Sequence, residues 1–243
     1  APFLGAKNLP STTKLMFGIA LSAIFIPNAL IHAQQQIDFG MIFAVYAFKE
    51  LLVGFVLGFL ISIPFYIAMT SGSLIDHVRG ASSLQIQDPS TQTQTGPLGL
   101  LYNYVLIALF FAIGGPLHFF QALGSSFEVI PVDAYFNPLF FTQNISFWES
   151  MTHILYRLMT LAVQLAAPSL IGILMIEMFL GIANRLAPQV QIVFLGIPLK
   201  SWVGILLLSI AWIFILQQLE NESLSWVRMI ELLLKKIAPY QVA

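Results

Sequence analysis

The sequence predicts an all-α membrane protein built from kinked helices in hairpins, and three observations carry this prediction. Hydrophobic residues make up 58% of the 243 residues and charged residues only 9%, whereas about 25% of a soluble domain is charged. The mean hydropathy is +0.86. The few charges are spaced so that long uncharged stretches lie between them. A chain of this composition cannot cover its apolar surface in water.

Five stretches are long and apolar enough to cross a bilayer, which takes about 20 residues in a helix. Backbone groups in lipid must bond within the segment, so we expect helices. With five spans, the positive charges divide evenly between the two sides and leave the orientation open. The strongest candidates are Leu51–Thr70, Leu158–Ile176 and Trp202–Leu216, followed by Leu15–Ala33 and Leu98–Phe120.

Prolines and charges interrupt these stretches. Lys49–Glu50 and Glu177 divide apolar runs, and four prolines lie inside or at the ends of them: Pro27, Pro64, Pro116 and Pro168. Proline removes a backbone donor and kinks or ends a helix. We therefore expect hairpins that pack against other protein more than helices surrounded by lipid. Ala187–Pro188 and Ile197–Pro198 are expected to break the helix at a hairpin corner.

We predict a single helical domain over residues 1–243, with two segments that differ from the rest. One is a polar loop at about residues 80–97. The other is an amphipathic C-terminal helix at about residues 221–238, in which apolar and charged residues fall on different faces. This helix lies on a membrane or partner surface, or it caps the fold in solvent; the sequence supports both equally.

Several classes of function are disfavoured. The net charge of −1 gives no reason to expect nucleic acid. The chain has no cysteine, which excludes disulfides and thiolate metal sites. The four histidines lack metal-ligand spacing, and no phosphate loop or nucleophile motif occurs. We therefore expect neither an enzyme nor a cofactor or metal.

The polar loop lies in the segment Ser71–Pro97, which is rich in Ser, Thr, Gln and Gly. Its charged residues are Asp76, Arg79 and Asp88, and Asp88–Pro89 and Gly96–Pro97 are turn signals. Hydroxyl and amide side chains bind a passing chain weakly, without trapping it electrostatically. The segment suits a conduit or a plug, and a plain solvent-exposed connector is equally supported.

Charged residues in apolar surroundings are the second group of candidates. Asp76 and Arg79 are three apart and would be neighbours on a helix. Lys49 and Glu50 point about 100° apart, so we expect each to reach a separate partner. Charges at membrane depth usually face partners or water, although Arg185 and Lys200 could mark the membrane boundary. We predict subunit contacts for Lys49, Glu50, Asp76, Arg79, Glu177, Arg185 and Lys200.

Three motifs resemble one known family. GSLIDHVRGASSLQIQDP (Gly72–Pro89), followed by Gly-Pro-Leu-Gly at 96–99, is similar to the SctT family of type III secretion export-apparatus proteins, which includes SpaR, YscT, HrcT and flagellar FliR. Two further segments resemble motifs of the same family: LGIANRLAPQVQIVFLGIPLK (Leu180–Lys200) and Pro-Phe-Leu-Gly at 2–5. His77–Val78 departs from the usual Gln or Asn followed by Gln. Family members usually carry helical sequence before Pro-Phe-Leu-Gly, so we expect an N-terminal helix to be missing here.

The resemblance implies a non-enzymatic core subunit of the export gate, which helps to form and close the pore for unfolded protein substrates. It implies SctR-like and SctS-like partners, and SctV-like and SctU-like proteins, in a helical assembly. It places the chain in the bacterial inner membrane, partly raised above the bilayer plane. Leu180–Lys200 would form the corner that contacts SctS and SctV. The implied plug residues are Gln85, Gln87, Asp88, Pro89, Thr91, Gln92, Thr93 and Gln94.

Two other functions remain open. A polytopic small-molecule secondary transporter would fit proline-broken helices and buried charges, but it should show paired half-repeats, and no convincing repeat is seen. A structural scaffold would need no residue that touches cargo.

Overall fold

The computed structural model describes residues 10–33, 40–80, 86–87, 94–133, 145–186 and 192–237. In these residues the chain is almost entirely helical, which confirms the all-α prediction. The two short strands pair antiparallel, with Ile86 opposite Thr95 and Gln87 opposite Gln94. The elements are α1 (Ser11–His32), α2 (Met41–Val78), β1 (Ile86–Gln87), β2 (Gln94–Thr95), α3 (Pro97–Ala112), α4 (Gly115–Val129), α5 (Ile145–Leu186) and α6 (Ile192–Ile237).

All five predicted spans fall on helices. Four helical stretches of the described chain are long and apolar enough to cross a membrane: α1, α2, Thr152–Leu186 of α5 and Leu195–Trp226 of α6. The fifth predicted span falls on α3 and α4, which meet at a 71° bend and together could form one broken span. Gly114 adopts a φ of 74° at this bend, and a proline occupies the first turn of α4.

Prolines interrupt the helices less than the sequence predicted. Pro27, Pro64, Pro168 and Pro198 all lie inside continuous helices. The helix break expected at Pro198 is therefore wrong, because a long helix can lose one backbone hydrogen bond and continue. Pro188, in the other expected break, lies outside the described residues.

The helices also run through the charged residues that divide the apolar runs of the sequence. Helix α2 runs through Lys49–Glu50 without a break. The C-terminal stretch predicted as an amphipathic helix is helical as far as Ile237, but it is the last part of α6 rather than a separate element. Continuous helices of 38, 42 and 46 residues therefore form most of the chain.

The chain forms two compact units. The first comprises Ala1–Ile63, Phe110–Leu155 and Ser223–Ala243, and the second comprises Pro64–Leu109 and Tyr156–Glu222. In the first unit, α1 packs against α4. The Asn28 side chain donates a hydrogen bond to the Gly124 carbonyl at 3.1 Å, and the rings of Phe25 and Phe127 lie 6.2 Å apart.

In the second unit, α5 and α6 pack at close range through small residues. The Ser169 hydroxyl donates to the Gly204 carbonyl at 3.0 Å. A Cβ on Gly204 would lie 2.9 Å from Cδ1 of Ile173, so glycine lets the Ile173 side chain pack closely against α6. A Cβ on Gly196 would lie 3.3 Å from Leu180. The predicted hairpin at Leu180–Lys200 is confirmed, with α5 ending at Leu186 and α6 beginning at Ile192.

Large apolar side chains remain exposed on α1, α2, α5 and α6. Leu30, Phe55, Met178 and Phe214 are each exposed by more than two thirds. Helix α1 has no buried residue at all. A soluble monomer rarely exposes so much apolar surface, so lipid or other protein must cover these helices.

Candidate functional site

A buried ion pair lies at the end of α2, where the chain enters the polar segment. Arg79 donates through Nε and Nη2 to Oδ1 of Asp76 at 2.9 and 2.5 Å. Only 2% of Asp76 and 8% of Arg79 is exposed. The pairing indicated by the three-residue spacing is confirmed.

The second oxygen of Asp76 binds another helix. Oδ2 accepts hydrogen bonds from the backbone N–H groups of Leu98 at 2.8 Å and Gly99 at 3.2 Å. These groups lie in the first turn of α3, where no carbonyl within the helix can accept from them. A carboxylate also suits the positive end of the helix dipole. Asp76 on α2 therefore caps α3, and we call Asp76, Arg79, Leu98 and Gly99 the carboxylate clamp.

Three glycines make room for this clamp. A Cβ on Gly96 would overlap the carboxyl group of Asp76, with Cγ at 2.5 Å. A Cβ on Gly72 would lie 2.6 Å from the backbone nitrogen of Gly99, and one on Gly99 would lie 2.6 Å from the Ser73 hydroxyl. The backbones of α2 and α3 therefore approach to a distance that only glycine allows.

The clamp joins the two ends of the polar segment. Gly80 lies two residues beyond the end of α2 with a φ of 86°, and its N–H donates to the His77 carbonyl at 3.1 Å. At the other end, the hydroxyls of Ser73 and Thr95 lie 2.8 Å apart. Residues 80 and 96 are thus tied to the same end of α2, which the sequence motif alone did not reveal.

Two of the predicted plug residues fall in the described chain. Gln87 and Gln94 face each other in the β1–β2 pair, and the Gln94 side chain is exposed. The other six lie outside the described residues: Gln85, Asp88, Pro89, Thr91, Gln92 and Thr93.

Lys49 forms a second buried charge centre, in the first unit. Its amino group donates to the carbonyls of Pro131 at 2.6 Å and Val132 at 3.1 Å, just beyond the end of α4. It also pairs with Glu50 Oε1 at 2.9 Å. The expectation of separate partners is wrong for this pair, because both side chains are long enough to bend towards each other. A cation here suits the negative end of the α4 dipole.

We expect Lys49→Met to destabilise the protein by about 2–4 kcal/mol, because it leaves the carbonyls of Pro131 and Val132 and the partly buried carboxylate of Glu50 without their cation. Lys200→Met is the matched control, since its partner Glu177 is 54% exposed and a solvated pair contributes about 0–1 kcal/mol. Thermal unfolding of the purified protein in mild detergent measures both. Equal losses of stability in the two variants would contradict the assignment.

The remaining predicted contact residues lie on the α5–α6 hairpin. Glu177 and Lys200 pair across it at 2.7 Å, and Arg185 is exposed near its end. Their predicted role as subunit contacts stays a prediction. Sequence reasoning missed another pair, Arg157 with Glu222 at 2.8 Å. The two residues are 65 positions apart, so no local spacing signals them.

The chemistry of these centres is structural. Both oxygens of Asp76 are engaged, so the clamp holds two chain segments rather than presenting a free acid or base. Within the described ranges, no cluster of three or more His, Asp or Glu residues could hold a metal ion. What the arrangement can do is fix the ends of a polar segment beside a long apolar helix.

Comparison with known proteins agrees with the sequence motifs. A family model described as "Bacterial export proteins, family 1" matches residues 1–225. The Yop proteins translocation protein T of Yersinia pestis is 34% identical over 162 residues, which cover 67% of this chain and 60% of that protein. The secretion system apparatus protein SsaT of Salmonella typhimurium is 29% identical over 174 residues, or 72% and 65% of the two chains.

A flagellar relative matches over a longer stretch. The flagellar biosynthetic protein FliR of Aquifex aeolicus is 26% identical over 234 residues, covering 95% of this chain and 86% of that protein. The matches to the two secretion proteins span less than two thirds of each of those proteins. With helices that could span a membrane and a family match over most of its length, the chain belongs to family 1 of the bacterial export proteins, the SctT/FliR family of type III secretion and flagellar export.

Proposed function

We propose that this membrane protein is a non-enzymatic core subunit of the type III secretion export gate, and that it helps to form and close the pore for unfolded protein substrates. A role in protein export follows from the family. The observation that carries the finer proposal is the clamped polar segment. The motif residues around Asp76 and those around Gly96 come together as one structural site.

The proposed mechanism is steric. The polar loop at about residues 80–97 blocks the pore at rest and yields when a substrate arrives. Its described backbone pairing comprises two residues from each strand, and isolated two-stranded pairing is marginally stable in water. A chain pushed into the pore could therefore displace the loop at low cost. Plug residues that carry hydroxyl and amide groups would then contact the substrate weakly, without holding it.

The exposed apolar helices support partners in the membrane. We propose SctR-like and SctS-like subunits against these surfaces, with SctV-like and SctU-like proteins nearby, in the bacterial inner membrane and partly raised above it. The α5–α6 corner near Arg185 and the pair Glu177–Lys200 is the proposed contact to SctS-like and SctV-like proteins. Charges at such a corner suit an interface better than contact with lipid tails.

Purification in mild detergent tests the proposal. We expect two small, apolar, helical proteins to co-purify with the chain in a stoichiometric complex. Recovery of the chain alone, together with substrate-dependent uptake of a small molecule when that chain is placed in liposomes, would contradict the proposal and favour a secondary transporter.

A further inference from the structure

We propose that Asp76 is the positioning residue of the polar segment and that the carboxylate clamp stays closed throughout export. The clamp would then be a fixed anchor, so that only the part of the segment beyond it yields to a substrate. This inference rests on the proposed gate function. It adds a role for a residue that the sequence suggested only as a local ion pair or a subunit contact.

The bonds to Asp76 make the clamp hard to open. Its carboxylate accepts two hydrogen bonds from the Arg79 guanidinium on one oxygen and two from the first turn of α3 on the other. All of these bonds involve a charged group, which makes them stronger than neutral ones. Separating α3 from α2 would leave one oxygen of the buried Asp76 carboxylate and the N–H groups of Leu98 and Gly99 without partners, while the Asp76–Arg79 pair at the end of α2 could persist.

The packing around the clamp points to the same conclusion. Met69, Gly72, Ser73 and Asp76 recur at helical spacing on one face of α2, and each lies against the stretch from Thr95 to Gly99. Backbone atoms of Leu98 and Gly99 lie where a Cβ of Gly72 would be. The contact therefore runs along two turns of α2.

Among the described residues, two weaker contacts lie next to the clamp. The hydroxyl pair of Ser73 and Thr95 forms the next contact outward, followed by the two-residue pairing of β1 with β2. The strength of the described bonding therefore falls from the buried carboxylate outward. The described bonding is therefore strongest at the clamp, which is where we propose that the segment is held.

A reversible covalent staple tests the anchor in the assembled export complex. The chain has no native cysteine, so Ser73→Cys with Thr95→Cys creates a single possible disulfide at a site where the two hydroxyls are 2.8 Å apart. With the staple oxidised, we expect export at the unstapled rate. If oxidation stops export and reduction restores it, the clamp must open and the proposal is overturned.

Asp76→Ala gives the second arm. In assembled complexes we expect several-fold faster uptake of a small membrane-impermeant dye, because the ends of the segment are no longer held. Adding the oxidised staple should return dye uptake to that of the complex without substitutions, and reduction of the disulfide should raise the uptake again. A stapled Asp76→Ala complex that leaks as before would show that Asp76 does not act by holding the two ends of the polar segment together. That result would overturn the proposal.

The outcomes separate this inference from the proposed function. If deleting Gln85–Thr95 causes a leak and Asp76→Ala does not, the plug stands and the anchor fails. If both complexes stay sealed, the plug itself fails, and the anchor fails with it. Where Asp76→Ala does not assemble, the staple in the natural background decides alone: continued export supports the anchor and arrested export overturns it.

Discussion

Deletion of Gln85–Thr95 is expected to leave the assembled export complex permeable to ions and small molecules at rest. The deletion removes all eight proposed plug residues while keeping Asp76, Arg79 and the first turn of α3, so the clamp itself can still form. Uptake of a small membrane-impermeant dye by cells that carry the complex measures the effect. We expect it to rise from background to the level of an open pore.

A scrambled segment is the matched control for this deletion. If residues 85–95 keep their length and composition but change their order, we expect the pore to stay sealed, because a steric plug depends on bulk more than on sequence. A tightly sealed pore after the deletion, in complexes recovered in normal amounts, would rule out the plug assignment.

Gly72→Ala is expected to destabilise the second unit by about 3 kcal/mol, at the upper end of what overpacking costs. The added Cβ would lie 2.5 Å from the Leu98 carbonyl carbon and 2.6 Å from the Gly99 nitrogen. Both are backbone atoms, and they cannot turn aside as the end of a side chain can. The capped start of α3 must therefore shift, which weakens the bonds to Asp76 as well.

Gly58→Ala provides the control for that substitution in the same helix. No atom lies within 4 Å of the position its Cβ would take, and alanine favours a helix over glycine by about 1 kcal/mol. Thermal unfolding in mild detergent should show the Gly72 variant far less stable and the Gly58 variant equal to or above the natural chain. Similar stability of the two variants would contradict the close approach of α2 and α3.

The helices could be predicted because composition alone decides them. A stretch such as Leu158–Ile176 has no charge for 19 residues and must satisfy its backbone internally in any apolar surroundings. Helix ends were harder to predict. Pro198 was expected to break a helix, but one lost hydrogen bond does not outweigh the continuous apolar packing of a 46-residue helix.

The candidate site was predictable only in its local part. The spacing of Asp76 and Arg79 is readable from the sequence because it depends on helix geometry. The cap on α3 is not, because it joins a carboxylate to backbone groups 22 and 23 residues further along. The same holds for Lys49, whose carbonyl partners lie 82 and 83 residues away. A Gly-Pro turn followed closely by a second glycine was the available signal that a backbone comes close.

Site-specific crosslinking to a stalled substrate tests most directly whether the polar segment closes the pore. A photo-reactive side chain at position 87, and another at Gln94, whose side chain is exposed, would report on the segment, with the exposed Glu220 on α6 as control. We predict crosslinks to the substrate from positions 87 and 94 and none from 220. No crosslink from 87 or 94 while export remains intact would contradict the plug and identify the chain as a scaffold that its cargo never touches.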